Sequence, residues 1–251
     1  MQSNHVKSVG KALKILLPVG FWLAVWELIS IIVGNSFLFP SIGQTATALV
    51  GLVSDPDFYL VILFSCTRVL LGLVLGIMCG IAVAFLCNYF RISRALLFPA
   101  ITVIKSTPVA SFIVVLWVSL SGDTLSVFIG FLMVMPIIAQ NLVDGFGAID
   151  KGLTEVADVF NFSFKRRLKF LIIPTLRSYL TPAIITSVGL AWKAEIAAEI
   201  IAYTKMSIGQ GINDAKFDMD TARVFAWTVI IIIFSIMLEK TTKVLLGRIK
   251  K

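Results

Sequence analysis

Six apolar runs of about 20 residues or more, set apart by short charged segments, leave this chain few folds to choose from. A bilayer core about 30 Å thick takes roughly 20 apolar residues per helix, and the runs at 13–33, 59–87, 95–120, 124–143, 179–202 and 224–246 each meet that length. The third is interrupted by Pro99 and Pro108, and the second is long enough to tilt. With 58% hydrophobic and 14% charged residues, against about 25% charged in soluble domains, the chain reads as an all-α polytopic membrane protein. The domain expectation is a cytoplasmic tail at 1–12, one transmembrane domain at 13–248, and a cytoplasmic tail at 249–251.

Where the basic residues fall decides between a membrane and a nucleic-acid reading of the +8 net charge. Sixteen of the 22 Lys and Arg lie in the N-terminal tail, the second and fourth loops and the C-terminus. The opposite loops hold only Lys205, Lys216 and Arg223, and Arg68, Lys105 and Lys193 fall within spans. This is the positive-inside asymmetry, and it predicts both termini in the cytoplasm, with no nucleic-acid partner. Lys7, Lys11 and Lys14 precede the first run much as in a signal peptide, but the run lacks a small-residue cleavage site, so a retained span is expected. Cys66, Cys79 and Cys87 share one run without metal spacing and read as packing residues. His5 is the only histidine, which excludes histidine-based acid–base or metal chemistry.

The fourth loop, about 150–174, reads as two short helices and carries a charged island at Glu155–Pro174. Asp150 or Thr154 can cap the first, and Leu153, Val156, Ala157 and Phe160 give it an apolar face at helical spacing. Asn161 sits at the expected end, where Asn substitutes for Gly in a left-handed cap. Ser163 can cap the second helix, and Pro174 is expected to end or kink it. A basic segment lying on anionic headgroups is the simplest alternative use of this island.

Glu155–Pro174 resembles the EAA loop of ABC-type, binding-protein-dependent permeases: E-A-A, three residues, Gly, nine residues, I-x-L-P. Here the residues are Glu155-Val156-Ala157, then Asn161, then Leu171-Ile172-Ile173-Pro174 at the same spacing. The departures are Val156 for Ala, Asn161 for Gly, Leu171 for Ile and Ile173 for Leu. SCTR at 65–68, the segment 99–108, WKAEIAAEIIA at 192–202, SIGQGI at 207–212 and FAWTVIIIIFS at 225–235 are similar to the nitrate/sulfonate/taurine branch of that family. The resemblance implies a permease subunit of an ABC importer in a prokaryotic plasma (inner) membrane, pairing as a homodimer. It implies a solute-binding protein outside and a cytoplasmic ABC ATPase dimer that binds ATP and Mg, and it places Glu155, Ala157, Asn161 and Pro174 in the ATPase-coupling loop. The implied cargo is a small solute such as a sulfonate, nitrate or vitamin precursor.

Charges inside spans are costly and are functional candidates by default. Glu27, Arg68, Lys193, Glu195 and Glu199 are therefore expected either to line a translocation path or to neutralise one another, with Glu27–Arg68 as one pair and Lys193–Glu195 as another. Lys193 and Glu195 are two residues apart and do not share a helix face, so their pairing would run across helices. Gly72, Gly76 and Gly80, four residues apart, and the small residues of the fifth span read as helix-packing surfaces. No G-x-x-x-x-G-K-[ST] phosphate loop occurs, so ATP hydrolysis is expected on a partner and no cofactor on this chain. An ion-coupled secondary transporter or channel, with the intramembrane charges as its path, is the competing expectation. A membrane-embedded enzyme has no histidine or nucleophile–base cluster to work with.

Overall fold

The computed structural model describes the backbone of residues 2–248 and the side chains of residues 16–247. The tail at 249–251 and the side chains of His5, Lys7, Lys11 and Lys14 lie outside the described residues. Eleven helices and no strand occur among the described residues: α1 (Gln2–Val33), α2 (Ile42–Ser54), α3 (Pro56–Tyr89), α4 (Arg91–Ser106), α5 (Val109–Trp117), α6 (Gly122–Gly147), α7 (Lys151–Val159), α8 (Phe164–Arg167), α9 (Ile173–Ala202), α10 (Ile208–Phe217) and α11 (Thr221–Arg248).

The apolar runs are helical, with differences that have physical causes. Among the described residues, α1, α3, α6 and α11 are long and apolar enough to cross a membrane. The third run is two helices, α4 and α5, bent by 99° at a break before Pro108. Pro108 supplies no N–H and holds its own φ at −57°, and the residue before a proline is pushed out of the helical region. Thr107 accordingly sits at φ −83°, ψ 131°. α9 is 30 residues long, but Arg177, Lys193, Glu195 and Glu199 and its several hydroxyls keep it out of the apolar set.

Two short helices, α2 and α10, interrupt stretches read from the sequence as loops. Both open on the same tetrapeptide, Ser-Ile-Gly-Gln, at 41–44 and 207–210. Ser41 Oγ accepts from Gln44 N at 3.2 Å, and the Gln44 side chain accepts from Ser41 N, a complete capping box. Ser207 Oγ accepts from Gln210 N at 2.9 Å, while Gln210 Oε1 reaches Met206 N.

The chain divides into two units. One comprises 1–59 and 211–231. In it Trp26, Phe39 and Phe225 form an aromatic triangle with centroids 5.3–6.3 Å apart, and Trp26 Nε1 donates to the Pro40 carbonyl. The other comprises 60–210 and 232–251 and is built on α6 packed along α9. There α3 approaches α6 through its glycines. A Cβ on Gly76 would stand 2.6 Å from Val134, and one on Gly80 would stand 2.7 Å from Ile138. The packing reading of that glycine series therefore holds. Ala191, Ala194 and Ala198 of α9 are buried within this unit as well.

Candidate functional site

The island is a rigid helical hairpin. Asp150, at the N-cap of α7, accepts from Leu153 N at 3.1 Å. α7 ends at Asn161, whose φ of 49° is left-handed. Phe162 N donates to the Ala157 carbonyl at 2.8 Å and Asn161 N to the Asp158 carbonyl at 3.0 Å. Those two bonds are the double closure of a Schellman turn. Ser163 occupies the N-cap of α8, but its side chain makes no capping bond. Arg167 instead fastens the second helix to the first, through an ion pair with Asp158 and a bond from Nε to the Phe162 carbonyl.

Pro174 does not end a helix. From Phe164 to Ala202 the backbone stays helical, with one five-residue π segment at Leu168–Ile172 just before it. Pro174 falls in the first turn of α9. There its missing N–H coincides with the wider turn that a π segment makes.

Glu155 and Asn161 are exposed, as a docking surface requires. Ala157 is buried and its carbonyl closes the turn, so its place is inside the hairpin and not on its surface. The exposed part is apolar: Val159 is 77% and Phe160 69% exposed, and Leu153, Val156 and Phe164 are exposed with them. Asn tolerates the left-handed region, whereas a β-branched residue pays about 1–2 kcal/mol there. Asn161→Gly is therefore expected to leave amide-exchange protection at 157–162 at the parental level. Asn161→Val is expected to lower that protection by about 1–2 kcal/mol.

The charges read from the sequence as lying within spans are arranged differently from the pairs expected. Glu27 does not need Arg68, because its Oε2 accepts from Ile42 N at 3.0 Å and so caps the N-terminus of α2. Every nitrogen of the Arg68 guanidinium is engaged elsewhere. Nε and Nη2 face Asp123 at 2.9 and 2.7 Å. Nη1 donates to Glu199 and to the Met206 carbonyl, and Nη2 donates to the Lys205 carbonyl. Glu199, buried to 1% exposure, also accepts from Ser65 Oγ at 2.9 Å and from Gly209 N at 3.3 Å. Ser65 Oγ in turn accepts from Ile208 N. This network ties α3, α6, α9 and the start of α10 into one clasp.

Beside the clasp lies an open cavity of about 560 Å³, lined by Phe64, Arg68, Asp123, Val127 and Lys205 among others. Arg68 is in its wall but has no donor to spare for a solute. Sequence reasoning had no local signal for Asp123, 55 residues from Arg68, or for the Met206 carbonyl, 138 residues away.

Glu195, one turn before Glu199, has no such partners. It is fully buried, and among the described residues neither carboxylate oxygen has a hydrogen-bond partner. Lys193 is exposed and is not a partner of that carboxylate. Glu195 fits only because Gly72 of α3 and Gly130 of α6 carry no side chains, since a Cβ at either position would meet its carboxylate.

The likenesses to known proteins agree with these features. Residues 72–251 match the family described as the binding-protein-dependent transport system inner membrane component. The chain is similar to the nitrate import permease protein NrtB of Synechococcus elongatus, 29% identical over 74% of this chain and 70% of that one. It is also similar to the taurine transport system permease protein TauC of Escherichia coli, 24% identical over 96% and 88%. A third relative is the putative aliphatic sulfonates transport permease protein SsuC of Bacillus subtilis, 22% identical over 94% and 86%. Among solved structures, the fold matches a chain of an amino acid ABC transporter with a TM-score of 0.61 at 17% identity, over 77% of this chain and 92% of that one.

Proposed function

Because the chain belongs to the family of binding-protein-dependent transport system inner membrane components, we propose that its α7–α8 hairpin is the seat of a cytoplasmic ABC ATPase dimer. The chain itself is a permease subunit of an ABC importer. The proposed assembly is a permease homodimer in a prokaryotic inner membrane. Both termini and the hairpin lie in the cytoplasm, as the distribution of Lys and Arg argues, and a solute-binding protein docks on the opposite side. The cargo class is a small anionic or zwitterionic solute of the nitrate, sulfonate or taurine kind, by likeness to relatives named for those solutes. Transport is alternating access, an equilibrium between conformations biased by nucleotide binding on the partner.

One observation carries this reading. The hairpin combines an exposed apolar face, with Val159 and Phe160 outermost, with a turn closed by three independent bonds and an ion pair. An exposed apolar surface rimmed by both signs of charge marks a protein contact. Its rigidity is what allows a push on it to be passed on and not absorbed.

The test is co-purification of the full chain with its ATPase, with ATP turnover measured with and without solute-loaded binding protein. Phe160→Glu is expected to reduce recovery of the ATPase by at least about tenfold, the scale of a hot-spot loss at an interface. Because Phe160 is largely exposed, membrane insertion and thermal midpoint should stay at parental values. Full ATPase recovery with Phe160→Glu, or solute uptake driven by an ion gradient with no ATPase present, would refute the assignment.

A further inference from the structure

Arg177, at the start of α9, is a basic residue whose Nη2 is buried without a hydrogen-bond partner among the described residues. It stands in the wall of a cavity of about 350 Å³. Ile81 and Phe85 of α3, Leu142 of α6, Leu180 and Ile184 of α9 and Leu246 of α11 make up most of the remaining wall. Arg177 is the only charged residue among the described residues lining it. The acidic residues of α6 and α11 nearest in sequence to this wall have partners of their own. Asp144 of α6 accepts from Gln140, and Lys243 and Glu239 of α11 pair with each other.

This is an unusual pairing of surfaces for a purely structural groove. A buried guanidinium nitrogen without an acceptor costs roughly 1–3 kcal/mol or more, and a structural arginine would be expected to find a carbonyl. The guanidinium is built to take an oxyanion in a forked, bidentate geometry. Apart from Thr181, the rest of the wall is hydrocarbon. An inorganic anion would satisfy the arginine but leave the apolar cavity unfilled. An uncharged hydrocarbon would do the reverse. A single occupant satisfies both only if it carries an anionic head and an acyl chain.

We infer that this cavity is a binding site for one anionic phospholipid, its phosphodiester on Arg177 and an acyl chain along Ile81, Leu180, Ile184 and Leu246. Arg177 lies three residues beyond Pro174 and on the same continuous helical run as the α8 end of the hairpin. The lipid therefore belongs to the leaflet on the hairpin side. The occupant also bridges α9 to α11 at the point where α9 leaves the hairpin. This site does not depend on what the protein transports.

The experiment is a lipid titration of the detergent-purified full chain followed by native mass spectrometry, which counts bound lipid directly. Dioleoyl-phosphatidylglycerol is expected to bind about fivefold more tightly than dioleoyl-phosphatidylcholine, the factor that one basic residue contributes toward an anionic lipid. Arg177→Gln should bring the two lipids to equal affinity. Ile184→Trp, which fills the hydrocarbon part of the cavity and leaves the arginine, should remove the bound copy of either lipid. Equal binding of both lipids by the parent protein, or an unchanged preference with Arg177→Gln, would overturn the site. So would stabilisation by inorganic phosphate alone equal to that by phosphatidylglycerol. The parent comparison is decisive by itself if neither variant can be purified folded.

Discussion

Replacing Arg68 with methionine is expected to cost the folded protein about 3–5 kcal/mol, the scale of breaking one side of a buried ion pair. Methionine keeps much of the apolar stem but removes the group that holds Glu199, itself 1% exposed. The remaining donors to that carboxylate, Ser65 Oγ and Gly209 N, do not compensate a full charge. The Lys205 and Met206 carbonyls also lose their donor, so the 203–207 connection should loosen together with the helix interior. Asp123→Asn provides the contrast. Its side chain is 73% exposed, so its half of the network is screened and should be worth under about 1 kcal/mol. The measurement is the thermal midpoint of the detergent-solubilised chain, with a cycle through Arg68→Met, Glu199→Met and the double variant. The double variant should recover a large part of the single loss, because replacing both buried charges with apolar groups is often close to neutral. An Arg68→Met midpoint within a degree or two of the parent would show that the network does not hold these helices together.

Gly130→Ala is the second large effect. In most membrane helices one methyl group is tolerated or even favoured. Here the added Cβ falls on the Glu195 carboxylate, which is fully buried and backed on its other side by Gly72. Because Glu195 is fully buried, its carboxylate can move aside only by displacing the packing between α6 and α9, which carry most of the core of the larger unit. Overpacking of that kind costs about 1–3 kcal/mol, and exposing a displaced carboxylate to the apolar interior adds to it. The decisive comparison is with Glu195→Ala. Glu195 makes no hydrogen bond that its removal would break, so Glu195→Ala should itself be mild. In that background Gly130→Ala should be almost free. If Gly130→Ala is equally damaging with and without Glu195, the clash lies elsewhere and the glycine–carboxylate fit is wrong.

The apolar helices and the hairpin were legible in the sequence because each rests on local information. A 20-residue apolar run, a left-handed Asn at a helix end and the spacing from Glu155 to Pro174 all announce themselves within one window. The two short helices α2 and α10 also carry a local signal, the Ser-Ile-Gly-Gln start, but it is a capping signal and not a hydrophobic one. A reading that searches for apolar periodicity passes over it. The clasp could not be found at all by such means. Arg68 finds its partners 55, 131, 137 and 138 residues away, and depth along a span suggested Glu27, which is already occupied at the start of α2. The same limit applied to Glu195. Composition marked it as an intramembrane charge, but only the apposition of Gly72 and Gly130 explains how the helices make room for it. Ala157 illustrates a subtler failure: resemblance placed it in the right turn, while which of its faces points outward is decided by packing.

The five-residue π segment at Leu168–Ile172 has a mechanical consequence. It lies in a helical run that starts at the hairpin, passes Pro182 and carries Glu195 and Glu199 near its far end. Rewinding a π turn to the α pitch takes up one residue, and in an α-helix one residue corresponds to about 100° about the axis. The segment can therefore act as a clutch. A small displacement at the hairpin would then emerge at the far end as a swing of two buried carboxylates about the α9 axis.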